Sequence, residues 1–333
     1  MSPHQWNCVL NTLDQEAQDL LDKPFQVVAG KGGVGRTLIS SALALRSSRM
    51  SRKTLLLEIN APDHCARALG VNSVIDKPKT VLPNLDLCRM TPEGALREYA
   101  LMILKFPALY RLVFENPFIK YFLKSIPSLG EFTMLGKAWF HAQETLADGS
   151  PRYECVIIDA PATGHALTFL SVARTVALTV PAGPMKSAAI KMAELVENEK
   201  TSCAHLVVTP EDMPVNEGLE LRQKLQERVK MKHGLSFMNR VTFSKVSEAD
   251  ENFFSALESK VEQCPDLRPY VDIAVARRGH LEHQSIHCDR FKTAVPSSIL
   301  VEDLRTLKDD QARVLHLADL WSKETDGSGG KAL

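Results

Sequence analysis

The sequence predicts an α/β protein with a mostly parallel, doubly wound sheet, and three observations carry that expectation. Short apolar runs, Phe25–Ala29, Thr54–Ile59 and Cys155–Asp159 among them, alternate with stretches of helical apolar spacing. Strands separated by helices imply parallel pairing with helices on both faces. The first run leads directly into Gly30-Lys31-Gly32-Gly33-Val34-Gly35-Arg36-Thr37 and then into Leu38–Leu45, rich in Leu, Ala, Ile and Ser. A strand, a glycine-rich turn and a helix form the context that a phosphate-binding loop (P-loop) requires. The third run ends in a carboxylate, at the strand end where such sheets gather their ligand chemistry.

Taken in order, residues 4–21 place Trp6, Val9, Leu10, Leu13, Ala17, Leu20 and Leu21 at helical spacing. Residues 1–23 therefore read as an amphipathic N-terminal helix, packed on the body of the protein or turned to a partner. Lys23-Pro24 ends it, because proline disfavours helix in the residue before it. The main domain spans 24–322. In its loop the glycines allow positive φ and close approach to an anion, while the N–H groups of the turn and helix start point at phosphate oxygens. Gly30, Lys31, Gly32, Gly33, Val34, Gly35, Arg36, Thr37 and Leu38 are the expected nucleotide contacts, and the Thr37 hydroxyl stands where Mg²⁺ is held. Position 36 carries arginine where the general pattern has lysine, so a planar fork on a longer stem replaces a compact ammonium. Two readings follow: a tolerated exchange, or a site that binds nucleotide and hydrolyses it poorly.

The second strand, Thr54–Ile59, delivers Asn60-Ala61-Pro62-Asp63-His64 at its C-terminal end, and Asn84–Met90 is a shorter strand. From about 91 to 147 the pattern turns helical and rich in Phe, Leu and Tyr, which predicts an inserted helical subdomain. Such a segment packs on itself or exposes a groove for an apolar helix or membrane protein. After Cys155–Asp159, the loop Ala160–His165 leads into a helix. Val176–Val180 reads as a strand before a helix near Pro184, and Ala204–Thr209 as a strand before a helix over 216–230. Leu235–Val241 is a further strand, 250–263 and 269–287 are helices, and Val301–Trp321 reads as a terminal helix. Residues 323–333 form a flexible Gly/Ser tail.

Composition narrows the classes. The chain is 44% apolar with zero formal net charge, so neither nucleic acid nor an anionic membrane is indicated as a main partner. No stretch approaches the roughly 20 apolar residues of a membrane span, and the start lacks the pattern of a signal peptide. Seven scattered cysteines form no CxxC pair, and Cys88 and Cys155 sit in apolar runs as buried thiols. A reduced, cytoplasmic setting fits this usage.

Four stretches in this order, Gly30–Thr37, Asp159–His165, Val207–Glu217 and Met238-Asn239-Arg240, resemble the ArsA family of arsenical-pump ATPases and tail-anchored-protein-targeting ATPases. The likeness covers about 24–320. It implies binding of ATP or ADP with Mg²⁺ and hydrolysis of ATP. It also implies a dimer closed by nucleotide, either with itself or with an ArsA-like paralogue. By position, Lys31 resembles the signature lysine of the deviant Walker A group, which crosses a dimer interface to the partner's nucleotide. Thr37 and Asp159 would hold Mg²⁺, Asp159 through water. The Gly164 N–H would sense the γ-phosphate, and Asn239 would read the adenine edge. Lys31, Arg36, Asn60 and Asp159 are the expected catalytic positions. Asn60 stands where the family has an aspartate that orients the attacking water, and an amide cannot accept that proton at neutral pH. Asp63 is a substitute only after a register shift. The zinc-binding CxxC of the targeting branch and the metalloid cysteines of the pump have no counterpart. The rival expectations are a non-hydrolysing regulatory subunit and a Min- or Par-type positioning ATPase, the latter without the basic amphipathic tail helix that Min-type proteins use.

Overall fold

The computed structural model describes residues 15–104, 126–243, 248–261 and 264–322. The beginning of the expected N-terminal helix, the middle of the helical insertion and the tail lie outside these residues. The described chain builds one eight-stranded sheet from β1 (Phe25–Gly30), β2 (Thr54–Ile59), β3 (Lys79–Leu82), β4 (Leu85–Met90), β5 (Cys155–Asp159), β6 (Ser202–Val208), β7 (His233–Val241) and β8 (Ile299–Glu302). The strand order is β3-β4-β2-β5-β1-β6-β7-β8, all parallel except the β3 edge.

The central strands are apolar throughout because both of their faces are covered. Val27 and Ala29 point into one core and Val28 into the other; Leu55 and Leu57 face opposite to Leu56. Over the second face lie α1 (Gln15–Leu21), α2 (Arg36–Arg49), α3 (His64–Leu69) and a late helix, α11 (Asp310–Ser322). The other face carries α4 (Pro92–Leu104), α5 (Leu129–Gln143), α6 (Thr163–Thr179), α7 (Pro184–Glu197), α8 (Asp212–Lys224) and the end of α10 (Arg268–Ala294). Helix α9 (Glu248–Lys260) precedes α10. In the described part of the insertion, α5 buries Phe132, Leu135 and Ala138 in the sheet core, and Phe132 meets Tyr99 of α4 edge-to-face. Ala17 and Leu21 of α1 are buried on the body. Cys65, Cys88, Cys155, Cys203 and Cys288 are buried free thiols. Among the described residues no helix is long and apolar enough to cross a membrane.

The edge strand β3 was not expected from the sequence, and two further elements differ from that reading. Val176–Val180 is not a strand; α6 runs through it to Thr179. The β-branched threonines fit the helix because the Thr175 and Thr179 hydroxyls donate to the carbonyls one turn back, Ser171 O at 3.1 Å and Thr175 O at 2.8 Å. Nor does the last helix begin at Val301. Ile299–Glu302 is β8, paired in parallel with β7, with Ile299 and Val301 in one core and Leu300 in the other. The Asp303 carboxylate then accepts from the Arg305 N–H at 3.1 Å and starts a short 3₁₀ turn, Leu304–Thr306, ahead of α11.

Candidate nucleotide site

The loop leaves β1 at Gly30, where a Cβ would press on the Val207 carbonyl of the neighbouring strand. Gly35 caps α2 with φ at +98°, and a Cβ there would fall on the Asn239 amide nitrogen. The backbone between them lies open to an anion at the start of a fourteen-residue helix. Lys31, the second loop residue, extends sideways and pairs its Nζ with Glu217 Oε1 of α8 at 2.8 Å.

Thr37, in the first turn of α2, donates its hydroxyl to Asp159 Oδ2 at 2.7 Å. Asp159 closes β5 and is 5% exposed; burial lifts its carboxyl above the usual range, against the Thr37 hydrogen bond and the Arg36 charge. The Cys65 thiol also donates to Oδ2, at 3.6 Å, whereas Oδ1 is buried without a partner. A buried, unpartnered carboxylate oxygen beside a hydroxyl is a hard oxygen donor set, and it fits Mg²⁺. Arg36 does not extend into the loop's open side. Its Nη1 donates to the Ala160 carbonyl, directly after Asp159, and burial lowers its pKa against the pull of Asp159.

Glu58 neighbours Asp159 across the β2–β5 pairing, in register, and is 1% exposed. Its Oε1 accepts from the His64 N–H at 2.6 Å, holding the start of α3. Burial is the largest cause raising this carboxyl to about 7; the nearby Asp159 charge adds to it, and the His64 N–H opposes. Asn60 follows β2 in the left-handed region with φ at +47°, exposed. Asp63 is engaged elsewhere: Oδ2 accepts from Arg89 at 3.0 Å and Oδ1 from the Ser73 hydroxyl. Gly164 is the second residue of α6, exposed, within the first turn whose N–H groups lack helical partners.

Asn239 ends the inner part of β7 and is 2% exposed. Its Nδ2 donates to the Val34 carbonyl at 2.9 Å and its Oδ1 accepts from the Arg240 N–H at 2.9 Å. The carboxamide therefore spends a donor on pinning the loop and an acceptor on the next residue of its own strand. Beside it opens a cavity of about 240 Å³ bounded by Gly35, Thr37 and Leu38, by His64, Arg67 and Ala68 of α3, and by Asn239 and Arg240. Its far wall is the turn after β8 and the start of α11, with Asp303, Arg305 and Arg313. Arg305 pairs with Asp303 through Nε at 2.9 Å and Nη2 at 2.6 Å, which holds that carboxyl below its usual range.

The loop, Asp159 and the cavity thus meet at the C-terminal edge of the sheet. Sequence reasoning missed Glu58, Cys65 and the arginine-lined wall. Glu58 left a signal, an acidic residue inside an otherwise apolar strand. The wall left none, because its parts come from distant stretches.

A parallel sheet with this loop after its first strand and an aspartate beside the loop threonine defines a P-loop nucleoside triphosphatase fold. Residues 24–181 match the family model of the anion-transporting ATPases, ArsA. Similar curated proteins include the ATPase BagA of Mycobacterium tuberculosis, 26% identical over 61% of this chain and 61% of its own length. The arsenical pump-driving ATPase of Acidiphilium multivorum is 24% identical over 61% of this chain and 34% of its own. The ATPase GET3 of Kluyveromyces lactis is 26% identical over 47% of this chain and 50% of its own. The matches thus span about three fifths or less of these relatives' lengths. Over residues 24–181 the chain is similar to the ArsA family.

Proposed function

We propose that this chain is a Mg·ATP-binding switch that closes on a second ArsA-type subunit and hydrolyses ATP slowly. The observation that carries this reading is the buried Thr37–Asp159 pair with its unpartnered Oδ1, at the head of an intact glycine loop. Thr37 and Asp159 would hold Mg²⁺, which neutralises charge developing on the β- and γ-phosphates. The N–H groups of Gly32 to Thr37 cradle the phosphates, and the cavity beside Asn239 takes the nucleoside. Lys31 reaches the nucleotide of the facing subunit, and the Gly164 N–H senses the γ-phosphate. The setting is cytoplasmic, the second subunit a copy or a paralogue, and an apolar helix or membrane protein sits on the helical insertion.

Slow chemistry follows from two positions. Arg36 spends its fork on the Ala160 carbonyl, so a compact cation over the β- and γ-phosphates is lost. Asn60 can orient water but cannot take its proton. Asp63 offers no replacement while Arg89 and Ser73 hold its carboxylate. The same two positions favour a second reading, a subunit that binds ATP and never turns over. Steady-state phosphate release separates the two. Each missing group costs on the order of 3 kcal/mol in the transition state, roughly a hundredfold in rate. Arg36→Lys combined with Asn60→Asp is expected to raise turnover at least tenfold with nucleotide affinity little changed. A double mutant no faster than wild type, or a wild type already turning over about ten times per second, refutes the impaired site.

A further inference from the structure

We propose that Glu217 is a positioning residue that stores the Lys31 ammonium against α8 until a triphosphate draws it away, so that the loop lysine responds to the γ-phosphate. This rests on the nucleotide reading of the site.

The pairing follows from the strand order. β1 and β6 are adjacent, with Gly30 in register with Val207, so the loop after β1 and the helix after β6 rise from the same edge side by side. Helix α8 is fixed in place. Gly218 lies so close to Val208 of β6 that a Cβ would collide with it, and Asp212 and Asn216 are both held by Arg290 of α10. Glu217 is therefore a stationary negative charge. Lys31 is the adjustable member, on a four-carbon stem in an open loop, and its ammonium lies at 2.8 Å from Glu217 Oε1. The two side chains are 29% and 32% exposed, so the pair is solvated enough to exchange partners.

Such a pair holds weakly and can be outbid. When two subunits close, a nucleotide in the facing subunit's cradle brings a competing charge within reach of the same ammonium. A diphosphate competes less well than a triphosphate, because the γ-phosphate adds charge at the open end of the cradle. The latch thereby makes release of Lys31 depend on the third phosphate. Removing Glu217 should strengthen the triphosphate more than the diphosphate, because only the triphosphate has to break the pair to engage Lys31.

The test is calorimetric binding of MgADP and of a non-hydrolysable Mg·ATP analogue to wild type, Glu217→Gln, Lys31→Gln and the double variant. Glu217→Gln is expected to tighten the analogue about fivefold and ADP about twofold or less, raising discrimination between them. In the Lys31→Gln background the same change should leave discrimination unaltered, which separates the latch from a general effect of removing one negative charge. Unchanged discrimination in Glu217→Gln, or an equal change with and without Lys31, overturns the latch. Absence of any nucleotide binding by wild type is a different failure, that of the site itself.

Discussion

Gly35→Ala is the sharpest test of how the site is built. The residue caps α2 at φ +98°, and any side chain there meets the Asn239 amide that pins Val34. Holding alanine in this conformation costs about 1–2 kcal/mol. Displacing a buried carboxamide from its carbonyl costs a further 1–3 kcal/mol or so. The sum, roughly 2–5 kcal/mol, corresponds to a fall in Tm of about 3–7 °C for a chain of this size. Gly33→Ala supplies the control. It also has positive φ, +85°, but a Cβ there has open space around it, so only the conformational cost applies. Thermal unfolding of both variants with and without millimolar MgADP reads the two consequences together. Gly35→Ala should lose more stability than Gly33→Ala and should lose the nucleotide-induced rise in Tm, which follows from linkage to the folded state. Equal losses at the two glycines, or a full nucleotide shift in Gly35→Ala, would show that Asn239 does not confine the loop.

Three further expectations follow. Asp159→Asn should bind ADP about equally with and without Mg²⁺, because the unpartnered Oδ1 charge is gone; a surviving metal dependence by calorimetry places the metal elsewhere. Lys31→Ala should weaken analogue-driven dimerisation by light scattering while leaving ADP binding to the monomer intact; an unchanged monomer–dimer balance removes the lysine from the interface. Glu58 is raised to about 7 by burial, so its contribution to stability is complete below about 4.5 and is lost as pH climbs through 7. Between pH 5 and 8, wild type should therefore lose about 3 kcal/mol relative to Glu58→Gln, with urea unfolding as the measurement. Parallel pH profiles for the two proteins would mean that Glu58 ionises freely.

The parts of this molecule that could be read beforehand are those whose cause is local. Thr54–Ile59 and Cys155–Asp159 are strands at the expected bounds because both faces are buried and an apolar run records that directly. The loop was legible because glycine spacing and helix start are fixed by phosphate geometry alone. The misreadings came where context decided between two permitted structures. Val176–Val180 has strand-like composition, yet the threonines on either side of Val176 are satisfied within α6. Ile299–Glu302 carried the apolar content of a helix, and only an open edge of β7 makes it a strand. In the site, the side chains that act through the loop were visible, and those that act on it were not. For Asn239 the resemblance implied a role at the adenine edge, and its ties to Val34 and Arg240 depend on β7 lying beside the loop. Glu217 was part of a recognisable stretch, but its pairing with Lys31 depends on β1 and β6 lying side by side.

The cavity beside Asn239 has a consequence for how the protein is made. Part of its near wall is present once Ala68 has been synthesised, but Asn239 and Arg240 follow much later, and its far wall waits for Asp303, Arg305 and Arg313. The bond that pins the loop joins residues 205 positions apart. A nascent chain on the ribosome therefore carries the glycine loop long before the residue that pins it and the far wall of the cavity have been made. Nucleotide cannot template the early stages of folding here. On the proposed reading, a nucleoside would find its full enclosure only in a chain whose late strands have already arrived.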